Sequence, residues 1–296
     1  MSRWARLLTE SRNPRSRRLD TLPTEKVVAL LLDEDRRAVA AAAKVRGAIA
    51  RAARLTADAL GRGGNVVLVG AGTSGRLGVL EAAECPPTFG LDSRRIRAVM
   101  AGGRDAVFLS QEGAEDRADR GRAEGRRVRA RDLLVGVSAS SVTPFVRGAL
   151  AAARARGAPT VLVTCAQSRG LRRIADVVVA IRTGPEVLTG STRLKAGSAT
   201  KAVLNAITTA AMVRLGKAYE NLMVDLKPTS AKLRDRSQRI VAAAGRVSDR
   251  EAARLLGAAG GEVKTAIVMA RLGVASHVAR RRLAAARGHV RKALGG

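Results

Sequence analysis

The sequence predicts an α/β protein: a doubly wound, five-stranded parallel sheet followed by a small C-terminal three-helix module. Three observations carry this expectation. From Asn65 onward short aliphatic runs alternate with helical stretches, and turn residues bound each run. The first run, Val66-Val67-Leu68-Val69, passes directly into Gly70-Ala71-Gly72-Thr73-Ser74-Gly75 and then into a helix. Alternation of this kind calls for a parallel sheet with helices on both faces, and such sheets bind ligands at the carboxyl ends of their strands.

Residues 1–60 read as an N-terminal arm and helices. Thr9-Glu10-Ser11-Arg12-Asn13-Pro14 is an irregular polar arm. Thr24 to Leu60 is mostly helical in two pieces, with Thr24 capping Lys26 to Leu32 and an alanine-rich run from Arg36 to Leu60. Residues 61–216 form the sheet domain. Its strands are Val66 to Val69, Ile96 to Ala101, Leu133 to Ser138, Thr160 to Thr164 and Val177 to Ile181. Helices fit at Gly75 to Ala83, Gly113 to Gly125, Thr143 to Arg156 and Lys195 to Arg214, and Pro86-Pro87 is expected to forbid continuation of the first of them. Residues 217–247 connect to the small module at 248–296, where Ser248-Asp249-Arg250-Glu251 has capping-box spacing and Gly260-Gly261 and Gly273 separate three short helices.

Composition narrows the function classes. With 46% hydrophobic residues but only 2% aromatic, the core is built from Ala, Val, Leu and Ile. No apolar run reaches the roughly 20 residues that span a bilayer, and Met1-Ser2-Arg3-Trp4-Ala5-Arg6 lacks an apolar leader, so the expectation is a cytoplasmic protein without membrane contact. Cys85 and Cys165 stand far apart with no paired motif, which suggests neither a disulfide framework nor a metal site. The net charge of +29 would ordinarily point to nucleic acid. Its distribution does not: arginines are spread over polar helix faces with no aromatics interleaved to stack bases, so specific nucleic-acid binding is not expected.

Two loops are candidates for holding an anion. After the first strand, Gly72, Thr73 and Ser74 place backbone N–H groups and hydroxyls at a helix N-terminus. After the third strand, Ser138-Ala139-Ser140-Ser141-Val142-Thr143-Pro144 offers more hydroxyls than one helix cap requires. Neither matches a common nucleotide signature. Gly75 is followed by Arg76-Leu77 where a P-loop needs Lys-Ser/Thr, and the second strand ends in Ala101-Gly102-Gly103 without the acidic residue of a dinucleotide fold. The only histidines, His277 and His289, lie in the C-terminal module, so acid–base chemistry in the sheet domain falls to carboxylates or Lys. Glu84, just before Cys85-Pro86-Pro87, and Glu115, in Glu112-Gly113-Ala114-Glu115-Asp116, both follow strand-end loops.

With these residues assembled, the chain resembles the N-acetylmuramic acid 6-phosphate etherases, which are sugar isomerase (SIS) domain proteins. The likeness runs nearly end to end, through Thr9-Glu10 with Asn13-Pro14, Leu68 to Gly78, Glu84 to Thr88, Glu112 to Asp116, Gly184 to Gly197, Asn221 to Asp225 and Lys264-Thr265-Ala266. The resemblance implies cleavage of the D-lactyl ether of N-acetylmuramic acid 6-phosphate in cell-wall sugar recycling, with Glu84 as acid and Glu115 as base. It also implies that Gly72, Thr73, Ser74, Ser138, Ser140 and Thr143 hold the 6-phosphate, and that Lys195 neutralises it or the substrate carboxylate. No cofactor or metal is implied. A homodimer is, in which residues such as Glu10 or Lys264 could reach a neighbouring site. The family's third-strand loop usually reads Ala-Ser-Gly-Arg-Thr-Pro; here Ser141 replaces Gly and Val142 replaces Arg. A non-catalytic phosphosugar-binding regulator and an aldose-ketose phosphosugar isomerase remain alternatives on the same fold.

Overall fold

Five aliphatic runs pair into one all-parallel sheet of order β2-β1-β3-β4-β5. The structure is a computed structural model and describes residues 7–166, 170–226, 228 and 230–296; the opening Met1 to Arg6 lies outside the described residues. The strands are β1 (Val66–Gly70), β2 (Ile96–Met100), β3 (Leu133–Val137), β4 (Thr160–Thr164) and β5 (Val177–Ala180). Every residue of β1, β3 and β4 is buried, as expected for strands covered on both faces. The order changes direction at β1 and β3, a switch point where a crevice opens beyond the carboxyl ends.

Upstream lie α1 (Thr24–Ala43) and α2 (Arg46–Gly61). The break falls at Lys44-Val45 rather than between Leu32 and Arg36, because residues 33–37 support the helix with ion pairs at i,i+3 spacing, Asp33–Arg36 and Glu34–Arg37. Thr24 is not the cap. Pro23 occupies that position, and its carbonyl accepts from the N–H of Lys26 and Val27.

The first helix after the sheet begins, α3, runs Gly72–Phe89 and passes through Pro86-Pro87, against expectation. Those prolines deprive the carbonyls of Ala82 and Ala83 of donors. Ala83 is an exposed residue; the Thr88 hydroxyl donates to the Glu84 carbonyl at 2.7 Å and Gly90 N–H to that of Pro86 at 2.9 Å. Beyond β2 the chain makes a short 3-10 turn at Ala114–Asp116 and then α4 (Ala118–Arg126), a shorter helix than the sequence suggested because Gly113 takes φ +73°. Next come α5 (Pro144–Ala155) and α6 (Lys195–Arg214). Helices α4 and α5 touch backbone to backbone: a Cβ at Gly121 would lie 1.9 Å from the Phe145 carbonyl oxygen, and one at Gly148 2.4 Å from that of Ala118. Only glycine permits this approach, which fixes where α5 begins.

The chain divides into two compact units, Met1–Ala83 with Arg94–Thr208, and Glu84–Ser93 with Thr209–Gly296. The second is helical. Its antiparallel ribbon, β6 (Ala218–Tyr219) and β7 (Leu222–Met223), turns through Glu220 at φ +54° and was not foreseen. It continues with α7 (Ala231–Gly245), α8 (Asp249–Ala258), α9 (Val263–Leu272), α10 (Ser276–Ala285) and the single turn α11 (Val290–Ala293). Ser248 caps α8 by accepting from Glu251 N–H. Tyr219, Val224, Ile240, Val241, Leu255, Ile267 and Val268 share its core, so the stretch read as a connector is part of the helical unit.

Candidate active site

At the carboxyl ends of β1, β2 and β3 lies a cavity of about 280 Å³. Its wall includes Thr73, Ser74, Ser140, Thr143, Glu115, Arg76 and Glu10, all of the sheet unit. Gly72, Thr73 and Ser74 form the first turn of α3, where N–H groups have no partner within the helix and the peptide dipoles favour an anion. Glycine is required around this turn on two grounds. Gly72 takes φ +52°, and a Cβ at Gly70 would come within 2.6 Å of the Gly75 nitrogen, so strand and helix meet only without side chains.

The second hydroxyl loop closes the opposite wall. Ser140 and Thr143 line the cavity, whereas Ser138 is buried beneath it and shares a 2.8 Å hydrogen bond with the Thr143 hydroxyl. Ser138 therefore orients a lining residue rather than lining the cavity itself. Ser141 is buried with φ +64°, the left-handed conformation that glycine adopts without strain. The loop keeps its shape at the expense of local strain. Val142 points the change elsewhere: it lines a separate pocket with Arg122 and Arg147.

Glu115 reaches the cavity from the 3-10 turn after Gly113, and its side chain is exposed. The loop that carries it folds back on Gly102, where a Cβ would lie 2.9 Å from Ala106 and 3.3 Å from Ala114. Arg76 clamps the same loop, donating from Nε to the Val107 carbonyl at 2.8 Å and from Nη2 to that of Ala106 at 2.9 Å.

Two of the sequence candidates, Lys195 and Glu84, are not among the residues that line this cavity. Lys195 is buried, and its ammonium donates to Glu34 Oε2 at 2.5 Å, so its charge is already spent. Burial of Glu34 raises its pKa, but the hydrogen bonds from Lys195 and Arg15 outweigh that and hold the carboxyl at about 2. Next to it, Glu186 is buried and accepts from the N–H groups of Lys195 at 3.2 Å and Ala196 at 2.9 Å, filling the N-terminus of α6 with a carboxylate of the chain itself; burial pushes its pKa up. Glu84 is exposed, belongs to the helical unit, and is not among the residues lining this cavity. In the helical unit Lys264 pairs with Asp225 at 2.7 Å, as does Lys217 at 2.8 Å.

Sequence reasoning passed over Arg76 as a lining residue and over Gly190 and Thr192, which also face the cavity. Spacing could not find Gly190 and Thr192, which join the first turn of α3 only after folding, whereas Arg76 directly follows Gly75 and is a lining residue the sequence did offer. Among the described residues no group of three His, Cys, Asp or Glu side chains is placed to hold a metal ion, and no helix is long and apolar enough to cross a membrane.

Comparison with known proteins places this geometry in a family. Residues 48–154 match the family described as the glucokinase regulatory protein N-terminal SIS domain. The N-acetylmuramic acid 6-phosphate etherase of Rubrobacter xylanophilus is 50% identical over 99% of this chain and 97% of its own length. That of Cutibacterium acnes is 49% identical over 97% of this chain and 95% of its own, and that of Mycolicibacterium smegmatis 46% identical over 98% of both. Identity of this extent over nearly the whole chain shows that it belongs to the N-acetylmuramic acid 6-phosphate etherase family.

Proposed function

We propose that the chain cleaves the D-lactyl ether of N-acetylmuramic acid 6-phosphate, yielding N-acetylglucosamine 6-phosphate and D-lactate, as a carbon–oxygen lyase of amino-sugar recycling. The observation that supports this best is the cavity itself: Glu115 shares one wall system with the free N-terminus of α3 and the hydroxyls of Thr73, Ser74, Ser140 and Thr143. A 6-phosphate held by those donors leaves the sugar carbons toward Glu115.

The chemistry requires two carboxyl groups in opposite protonation states. In the opened sugar the C1 aldehyde acidifies the C2 proton, which the Glu115 carboxylate takes. The C3–O bond breaks, and its electron pair goes to the lactyl oxygen, a poor leaving group unless protonated. Glu84 supplies that proton by motif. Water then adds across the C2–C3 double bond to restore the C3 hydroxyl. Thr73, Ser74, Ser140 and Thr143 bind through neutral donors, and Ser138 acts through Thr143. Lys195 is given no part in binding, since Glu34 holds it.

Cytoplasmic location and a homodimer belong to the same reading. The basic surface serves to raise the encounter rate with an anionic phosphosugar, not to bind a specific nucleic acid. The test is incubation with N-acetylmuramic acid 6-phosphate while D-lactate is measured, with Glu84→Gln and Glu115→Gln alongside. Well-folded wild-type protein that releases no lactate sinks the activity; lactate release that survives both substitutions sinks the residue assignment.

A further inference from the structure

The phosphosugar cavity contains a second carboxylate, Glu10, which comes from the N-terminal arm of the same unit. Its position is set by three fastenings between the arm and the loop of residues 185–190. Gly190 N–H donates to the Thr9 carbonyl at 3.1 Å, Asn13 Nδ2 to the Pro185 carbonyl at 3.1 Å, and the Ser16 hydroxyl to the Val187 carbonyl at 2.7 Å. The Thr9 hydroxyl donates to Glu10 Oε1 at 3.2 Å. On the other side Glu10 Oε2 lies 3.3 Å from where a Cβ on Gly190 would stand, and Gly190 itself takes φ +80°. The space beside the carboxylate therefore depends on glycine, and the arm is registered so that Glu10, though exposed to solvent, lines the cavity.

A carboxylate beside a phosphate cradle repels the incoming anion unless donors meet it. No ion pair to Glu10 is found among the described residues, and Arg76, the cation of the cavity wall, has two of its donors committed to the carbonyls of Val107 and Ala106. The donors that complete Glu10 are hydroxyl or amide N–H groups of the sugar, since an acceptor-only carboxylate pairs only with donors. Inorganic phosphate, bound by its oxygens in the cradle, lacks the hydroxyl and amide donors that a sugar extends away from its phosphate. We propose that Glu10 is a substrate-contacting, specificity-determining residue, which accepts hydrogen bonds from the sugar portion of the phosphosugar and so discriminates it from other phosphates. This rests on the phosphosugar reading of the cavity given above.

The test is titration of the full-length chain with N-acetylglucosamine 6-phosphate and, separately, with inorganic phosphate, by calorimetry. Glu10→Ala is expected to weaken the phosphosugar about tenfold or more and inorganic phosphate less than twofold, with Glu10→Gln, which keeps one acceptor oxygen, in between. Gly190→Ala, which displaces the carboxylate, is expected to reproduce Glu10→Ala. Equal loss for both ligands, or a loss accompanied by a fallen melting temperature, means that the arm is merely structural and overturns the proposal; so does unchanged phosphosugar affinity. Wild-type protein that releases no lactate, yet loses phosphosugar affinity on Glu10→Ala, would sink the etherase activity and leave the role of Glu10 standing.

Discussion

The guanidinium of Arg76, one turn into the helix that presents Thr73 and Ser74, donates through Nε to the carbonyl oxygen of Val107 at 2.8 Å. Arg76 thus ties the turn that carries Thr73 and Ser74 to the loop that leads to Glu115, and under the proposed mechanism anion binding and proton abstraction share one mechanical support. Lysine keeps the charge but lacks the planar fork. Arg76→Lys is expected to lower kcat by about tenfold and Arg76→Ala by about a hundredfold, the scale of losses from misplacing a catalytic group by about 1 Å. Combining Arg76→Ala with Glu115→Gln should cost little more than Glu115→Gln alone. Additive losses in steady-state kinetics would show that the clamp does not act through Glu115.

The Glu34–Lys195 pair makes stability depend on acid. The Glu34 carboxyl is held at about 2 in the folded chain, below its ordinary value of 4.5. A depressed carboxylate stabilises fully above the unfolded value and loses that contribution as pH falls through the folded one. Denaturant titrations between pH 5 and pH 2 are expected to show a progressive loss of about 2 kcal/mol or more from this group. In Glu34→Gln that part of the slope should vanish.

Lys195→Met provides the complementary measurement. It leaves a buried carboxylate without its ammonium partner, which typically costs about 3–5 kcal/mol. Because Lys195 is outside the cavity wall, a variant that remains folded at low temperature should bind inorganic phosphate with the wild-type Kd. A phosphate affinity that fell tenfold would return Lys195 to the binding site.

Ser141 holds φ +64° where glycine would be unstrained. Ser141→Gly is expected to stabilise the protein by about 1 kcal/mol, the order of the left-handed penalty for a residue with a Cβ. The denaturation midpoint reads it out. An unchanged or lowered midpoint would mean that hydrogen bonding in the loop outweighs the strain.

Cys165 is buried, and desolvation pushes its thiol up to about 11. The native chain should therefore be alkylated by iodoacetamide at Cys165 far more slowly than the denatured chain at neutral pH, as peptide mapping would show. Comparable rates in both states would indicate that β4 opens to solvent.

The sheet was legible because buried parallel strands need uninterrupted aliphatic runs, and Val66-Val67-Leu68-Val69 or Thr160-Val161-Leu162-Val163 have few other uses. That the two hydroxyl-rich loops would meet was legible for a related reason, since both follow strands of one parallel sheet and so open at the same edge, where Thr73, Ser74, Ser140 and Thr143 line one cavity. What failed was local grammar overridden by context. Pro86-Pro87 reads as a stop, yet α3 continues through them, with Ala83 at the exposed surface and the Glu84 carbonyl taken by the Thr88 hydroxyl. The partner of Lys195 was invisible because Glu34 lies on α1, far upstream in sequence, and the binding role implied by the family resemblance took no account of that counter-charge. Glu10 was placed only by its neighbours: nothing within Thr9-Glu10-Ser11 states that Gly190 will receive it.

The carboxylate of Glu186, seated on the first N–H groups of α6, has a consequence for how a ligand is sorted. A parallel sheet collects several helix beginnings along one edge, and each is a potential trap for the same dianion. By plugging one of these with a side chain of its own, the fold removes a decoy. Under the proposed function, a phosphate drawn in by the highly charged surface is left with the unplugged beginning at Thr73 and Ser74, and the sugar it carries would enter in one orientation.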